Sequence, residues 1–136
     1  MNVSDIMTER PVSVRLHSTL REVLDLMQQL GCHHIPVLNT ENQLVGIISD
    51  RDCRLAMNSP HIVPEHWQND DLANQLSARM IMIPTPIVIS PNADVMDAAK
   101  LMLTQQISCL PVMRGESLVG IITRSDILMT FVNASN

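Results

Sequence analysis

The chain writes one pattern twice. Leu44-Val45-Gly46-Ile47-Ile48-Ser49-Asp50-Arg51-Asp52 returns as Leu118-Val119-Gly120-Ile121-Ile122-Thr123-Arg124-Ser125-Asp126. The flanks return as well. Ile35-Pro36-Val37 answers Leu110-Pro111-Val112, Pro11-Val12 answers Pro86-Ile87, and Ile6-Met7 answers Ile81-Met82. The offset is 75 residues up to Val37 and 74 from Leu44 onward, so one residue is lost in the turn before the motif. A repeat this long constrains the fold to two copies of one supersecondary unit stacked on a shared core.

At 136 residues and 46% apolar, the chain is long enough for one core, and the natural prior is one domain of two sub-units. The repeats divide it into residues 1–57, an insertion at 58–76, and residues 77–136. In the first copy, Pro11 opens a short strand over Val12 to Val14. Thr19 and Glu22 have capping-box spacing, and Leu20, Val23, Leu24, Met27 and Leu30 follow on one helical face until Gly31. A strand at Ile35 to Leu38, a turn through Asn39-Thr40-Glu41-Asn42, a strand at Leu44 to Ser49 and a helix from about Arg51 to Met57 complete the copy. The second copy reads Ile87 to Ile89, a helix from Asp94 to Gln105, strands at Cys109 to Met113 and Leu118 to Thr123 around Arg114-Gly115-Glu116, and a helix from about Ser125 to Phe131. Asp94 and Asp97 stand for Thr19 and Glu22. Val95, Ala98, Ala99 and Met102 repeat the buried face.

The insertion has no counterpart. Pro60 and Pro64 break its start, and Asp70-Asp71 with Leu72 and Leu76 suggest a capped helical turn near its end. Trp67 lies here, better suited to pinning the loop than to waiting for a partner. His61, Glu65 and His66 lack the spacing of helical zinc motifs, and Pro64 interrupts them, so no metal site is expected.

The formal charge is −5 and the chain has nine basic residues without a basic stripe, which argues against a nucleic-acid groove or an anionic membrane surface. Apolar runs such as Met80 to Ile83 are too short for a bilayer. Met1-Asn2-Val3-Ser4-Asp5 lacks the pattern of a secretion signal. Cys32, Cys53 and Cys109 form no CxxC pair, so a reduced, cytoplasmic protein is expected, its cysteines acting as small hydrophobes. With Trp67 and Phe131 the sole aromatics, aliphatic residues and ten methionines must build the core.

The chemistry concentrates in Gly-Ile-Ile-Ser/Thr-x-x-Asp. Gly46 and Gly120 allow another backbone or a ligand to approach the strand. Ser49 and Thr123 end it with a hydroxyl, and Asp52 and Asp126 follow in the first helical turn. One reading is an N-cap with a favourable charge at the helix dipole. The other is an ionised carboxylate accepting hydrogen bonds from two ribose hydroxyls, beside a helix start that holds phosphate. A carboxylate has lone pairs enough for both.

The doubled motif, each copy preceded by an x-h-Pro-Val strand (h apolar) and an amphipathic helix, resembles a tandem pair of cystathionine-β-synthase (CBS) domains, from Val3 to Phe131. The resemblance implies a mixed α+β fold of two β-α-β-β-α repeats packed sheet to sheet into one pseudo-two-fold module. It also implies two clefts that bind adenosine nucleotides or related ligands, and pairing into flat dimers. In one cleft Asp126 takes the ribose hydroxyls and Thr123 and Ser125 the ribose-phosphate region, with Arg124 close by. Pro11, Val12, Val14, His33, His34 and Ile35 line its base and phosphate sides. In the other, Asp52 and Ser49 take those roles, Arg51 stands where the first has Ser125, and Ile87, Ile89, Ser108 and Cys109 complete it.

The expected protein is therefore a regulatory module and not an enzyme, since no nucleophile has a base at readable spacing. It needs no cofactor. It senses an adenosine nucleotide, AMP or ADP in preference to ATP because few cations lie near the motifs, and relays binding to a protein partner as a homodimer. The alternative is a dimerisation scaffold with empty clefts, whose aspartates only cap helices.

Overall fold

The computed structural model describes residues 1–58 and 69–134; Trp67 and the His61–His66 group lie outside them. In chain order the elements are α1 (Val3–Ile6), β1 (Thr8–Glu9), β2 (Val14–Arg15), α2 (Leu20–Leu30), β3 (His34–Leu38), β4 (Leu44–Ser49), α3 (Asp50–Asn58), α4 (Asn69–Gln75), α5 (Ala78–Ile81), β5 (Ile83–Pro84), α6 (Val95–Gln105), β6 (Cys109–Arg114), β7 (Ser117–Thr123) and α7 (Arg124–Ala134). This is a mixed α+β chain with two sheets, ordered β2-β3-β4-β5 and β1-β7-β6.

The packed units and the sequence repeats have different boundaries. One unit is Val12–Thr85; the other joins Met1–Pro11 to Pro86–Asn136. Each repeat's leading segment therefore serves the other repeat's hairpin. β1 pairs antiparallel with β7, Thr8 opposite Ile121, and β5 pairs with β4, Ile83 opposite Ile47. Ile6-Met7 and Ile81-Met82 correspond between the repeats. In both copies these residues end a one-turn helix and turn into the extended conformation at Met7 and Met82.

The two hairpins share one register. β3 faces β4 with Ile35 opposite Ile48, and β6 faces β7 with Leu110 opposite Ile122, each with an irregularity at the equivalent place, Val37/Leu38 and Val112/Met113. Asn39 shapes the first turn by accepting from the Glu41 and Gln43 amides. Gly115, at φ 60°, shapes the second.

The first strand of each copy is shorter than expected. β2 begins at Val14 and pairs parallel with Val37 and Leu38. Its counterpart shrinks to a bridge between Ile89 and Val112, made by Ile89 N–H to Pro111 O (3.0 Å) and Met113 N–H to Ile89 O (2.9 Å). The prolines explain the truncation. In a parallel ladder the next rung would need an N–H from Pro36 or Pro111, and proline has none. Val12 and Ile87 thus lie outside the strands.

Helix α2 starts with the predicted capping box: Glu22 N–H donates to Thr19 Oγ1 (3.2 Å) and Thr19 N–H to Glu22 Oε2 (3.4 Å). It ends at Gly31 in the left-handed conformation, φ 64°. Leu20, Val23 and Met27 are buried, but Leu30 is 53% exposed, because Gly31 ends the helix one turn beyond the last core contact. In α6, Asp94 Oδ1 accepts from Met96 N–H (2.9 Å) and Ala98 and Met102 are buried. Its C-cap, Gln106, holds φ 56° without the freedom of a glycine.

Each unit has its own core. Val12–Thr85 closes around Leu20, Val23, Ile35, Val37 and Ile48; the other unit closes around Val3, Ala98, Leu110, Val112 and Ile122. The end of the insertion is part of the first core. Leu72, Ala73 and Leu76 are buried there, and Leu76 O accepts from Leu20 N–H (2.8 Å) at the start of α2.

Candidate functional site

Each motif sits where a hairpin's second strand runs directly into a helix. In one unit, Ser49 N–H donates to Asp52 Oδ2 (2.8 Å) and Asp52 N–H to Ser49 Oγ (3.1 Å). In the other, Thr123 N–H donates to Asp126 Oδ2 (2.8 Å) and Asp126 N–H to Thr123 Oγ1 (3.2 Å). These are reciprocal capping boxes, which satisfy amides that a helix start leaves without internal partners. The Thr123 hydroxyl also donates to Asp126 Oδ2 (3.0 Å). All these carboxylate bonds fall on Oδ2, and Oδ1 of either aspartate takes no part in them.

The residue immediately before β3 or β6 completes the helix start. His33 O accepts from Asp50 N–H (3.0 Å), and Ser108 O accepts from Arg124 N–H (2.9 Å). His34 lies opposite Ser49, and Cys109 opposite Thr123. The pre-proline pair thus adjoins the motif of its own repeat. The sequence-based groupings, which joined His33, His34 and Ile35 to Asp126, and Ser108 and Cys109 to Asp52, each draw on both units. One unit holds Val14, His33, His34, Ile35, Ser49, Arg51 and Asp52, of which His33 and His34 adjoin the helix start while Val14 pairs farther along β3, with Val37. The other holds Ile89, Ser108, Cys109, Thr123, Arg124, Ser125 and Asp126, with Ile89 bridged to Val112 farther along β6; Pro11 lies in that unit and Val12 in the first.

The two helix starts differ in charge. Asp50 pairs with His33 Nδ1 (3.1 Å) and Arg54 (3.3 Å). Burial pushes its carboxyl upward, but the hydrogen bonds from Arg54 and His33 outweigh that and hold it below the ordinary value. Burial holds His34 below the usual histidine range, against the pull of Asp50. Arg124 stands where Asp50 does, and Ser125 where Arg51 does. Cys53 is buried, and desolvation followed by the Asp52 charge pushes its thiol up to about 11; Cys109 is pushed up by burial and by Asp126. Such thiols are poor nucleophiles, and all three cysteines are free.

Gly46 and Gly120 have a specific reason. A Cβ on Gly120 would lie 2.4 Å from Met7 Sδ and 3.0 Å from Thr8 O; on Gly46 it would lie 2.4 Å from Met82 Sδ and 3.1 Å from Ile83 O. What approaches these strands is the short strand and methionine led in from the other repeat.

A cavity of about 230 Å³ opens beside Asp126, lined by Ile6, Asp126, Met129, Thr130 and Asn133. The repeated pattern ends at Asp126. The signal beyond it is the spacing 126, 129, 130 and 133, a single helical stripe. Among the described residues, no group of three or more His, Cys, Asp or Glu could hold a metal ion, and no helix is long and apolar enough to cross a membrane.

Known proteins share this arrangement. A CBS domain-containing protein of Dictyostelium discoideum is 35% identical over 130 residues, covering 93% of this chain and 88% of its own. The structure of CBSX2, an Arabidopsis thaliana protein, in complex with AMP superposes with a TM-score of 0.78 at 25% identity, covering 99% and 98% of the two chains. The fold also matches a CBS domain pair solved with 5′-methylthioadenosine and S-adenosyl-L-methionine, with a TM-score of 0.84 at 24% identity over 98% of both chains. The CBS domain model matches residues 3–59 and 78–133, and the chain belongs to the CBS domain family.

Proposed function

We propose that this chain is a regulatory, non-catalytic module that binds an adenosine-containing nucleotide at its Ser/Thr-x-x-Asp helix starts. The observation that carries the reading is the division of labour within each carboxylate. Oδ2 of Asp126 and Asp52 is committed to the cap, and Oδ1 is left to accept from a ribose diol. Thr123, Arg124 and Ser125, and likewise Ser49 and Arg51, then lie at a helix N-terminus suited to phosphate. The CBSX2–AMP complex supports the same ligand class. The scarcity of cations at each start favours AMP or ADP over ATP. His33 and His34 serve the Asp52 start; Ser108 and Cys109 serve that of Asp126. The remaining strand-entry residues, Pro11, Val12, Val14, Ile35, Ile87 and Ile89, belong to the walls of these sites. The module works in the cytoplasm as a homodimer whose packing, shifted by ligand, is read by a protein partner.

The capping boxes also favour a second reading. They fully explain both aspartates in a scaffold that binds nothing. Calorimetry and thermal unfolding against AMP, ADP, ATP and GMP separate the two. Ligand at 100 times its Kd adds about 2.7 kcal/mol. Asp126→Ala is expected to weaken AMP binding by about 1–3 kcal/mol, and Asp52→Ala to do the same at a second site. A flat nucleotide panel refutes the sensor and leaves the scaffold.

A further inference from the structure

We infer that the outer face of α6 and α7 is a docking groove for an amphipathic helix of a partner protein. That helix carries a leucine, a small residue beside it and a second leucine four positions on. The inference stands apart from the nucleotide reading and does not depend on it.

The template lies in the chain itself. In the unit Val12–Thr85, α4 packs against both α2 and α3. Leu72 and Ala73 of α4, and Leu76 just after it, are buried there. Leu76 O accepts from Leu20 N–H, at the first residue of α2 (2.8 Å). The other unit repeats the surroundings of that helix. Met1 O accepts from Val95 N–H, at the first residue of α6 (3.0 Å), and the bridge between Asn2 and Asp94 answers that between Thr19 and Ser77. Met1 thus holds the place of Leu76. Among the described residues, none stands where Leu72 and Ala73 do, and the place is open: Leu76 is 9% exposed and Met1 65%. Met57 of α3 packs half-buried against its core, whereas its counterpart on α7, Phe131, is 66% exposed.

The outward positions of the two copies differ in one direction. Where α3 has Arg54 and Asn58, α7 has Leu128 and Val132; where α2 has Arg21 and Gln28, α6 has Met96 and Leu103. All four apolar replacements are exposed. The core positions show no such change, since Val23 and Met27 are answered by Ala98 and Met102, and all four are buried. Packing within the chain therefore does not account for the outward residues. Leu128, Phe131 and Val132 stand at i, i+3 and i+4, which makes them one stripe of α7. From Leu128 to Ala134 the helix carries no charge. A helix apolar on its outer side as well as its inner one is suited to being covered. The face is made of helices and offers no strand edge, so its occupant is a helix held by spaced apolar anchors. The covering of the equivalent place by α4 has that form.

The probe is a lactam-stapled, fluorescent peptide of residues 69–77, titrated against the full chain by anisotropy. Saturable binding is expected. The double variant Leu128→Arg/Val132→Asn sets on α7 the types of residue that α3 carries at Arg54 and Asn58, and it should weaken the peptide about tenfold. Both positions are exposed, so the variant is expected to fold, which circular dichroism checks. Leu55→Arg, at an exposed position of α3, should leave the affinity unchanged, which shows that the peptide is not displacing α4 in the other unit. No saturable binding, or binding that the α7 variant retains in full, overturns the groove. Sedimentation adds a further arm: a wild-type dimer that the α7 variant dissociates and the peptide does not assigns the face to a second copy and overturns it too. AMP calorimetry on the same proteins tests the nucleotide reading separately, so either can fail alone.

Discussion

Gly120→Ala tests whether the motif glycine is required by packing within the chain. The added methyl would stand 2.4 Å from Met7 Sδ, 3.0 Å from Met7 Cγ and 3.0 Å from Thr8 O. The thioether can swing away, but the Thr8 carbonyl is held by the β1–β7 ladder. Forcing a methylene into such a space costs about 1–3 kcal/mol. Replacing glycine in a strand returns roughly 0.5–1 kcal/mol of backbone entropy, so the net loss is about 1–2 kcal/mol. For a chain this long, that lowers the Tm by roughly 4–8 °C. Denaturant unfolding gives the free energy directly, and a double-mutant cycle with Met7→Ala isolates the sulfur contact. Removing the Met7 side chain should recover part of the loss, with the Thr8 carbonyl holding the remainder. A Gly120→Ala protein as stable as wild type refutes the packing argument. A loss that Met7→Ala leaves untouched refutes the role of the sulfur.

Two further predictions concern single residues. Gln106→Gly should stabilise by about 0.5–1 kcal/mol in urea unfolding, since Gln106 ends α6 at φ 56°, where α2 uses Gly31; a destabilised variant would show that the Gln106 side chain matters more than its backbone. His34, held below the ordinary histidine value of 6.5 by burial first and by His33, against Asp50 and Asp52, takes up a proton more readily in the unfolded chain. Its contribution to stability is therefore complete above that value and lost as pH falls below it, so the Tm should drop on acidification from pH 7 to 5 and drop less in His34→Gln; equal slopes would refute this assignment.

Much of the fold is legible in the sequence because its strongest signals are local. The α2 cap, Gly31, both hairpins and the buried face of α2 follow from spacing and turn chemistry alone. What spacing misses is where each element finds its partner. Residues 6–7 and 81–82 match between repeats, yet nothing local says that each segment pairs in the other repeat's unit. That follows from two sheet edges, at β4 and β7, where glycine leaves room. The strand lengths at Val14 and Ile89 fail for a related reason. The missing donors of Pro36 and Pro111 act on a neighbouring strand and are invisible in the strand that is shortened.

The candidate site divides along the same line. Ser49, Asp52, Thr123 and Asp126 stand out in the sequence because a cap is a three-residue signal, and both copies preserve it. Their neighbours do not stand out, and the resemblance groups His33 and His34 with Asp126, which belongs to the other unit. Within their own unit, the β3–β4 ladder and the His33 O to Asp50 N–H bond set the pair beside the Asp52 start. The caps leave room for the proposed second role of each aspartate. Because the cap bonds that the carboxylates accept fall on Oδ2, a ligand on Oδ1 would come and go without breaking them. Removing the carboxylate damages both, so Asp126→Ala alone cannot apportion stability and affinity. A Thr123→Val protein can, because it withdraws the hydroxyl that caps the Asp126 amide and leaves the carboxylate. It should unfold more easily by about 1 kcal/mol and, if Oδ1 carries the ribose, still bind AMP.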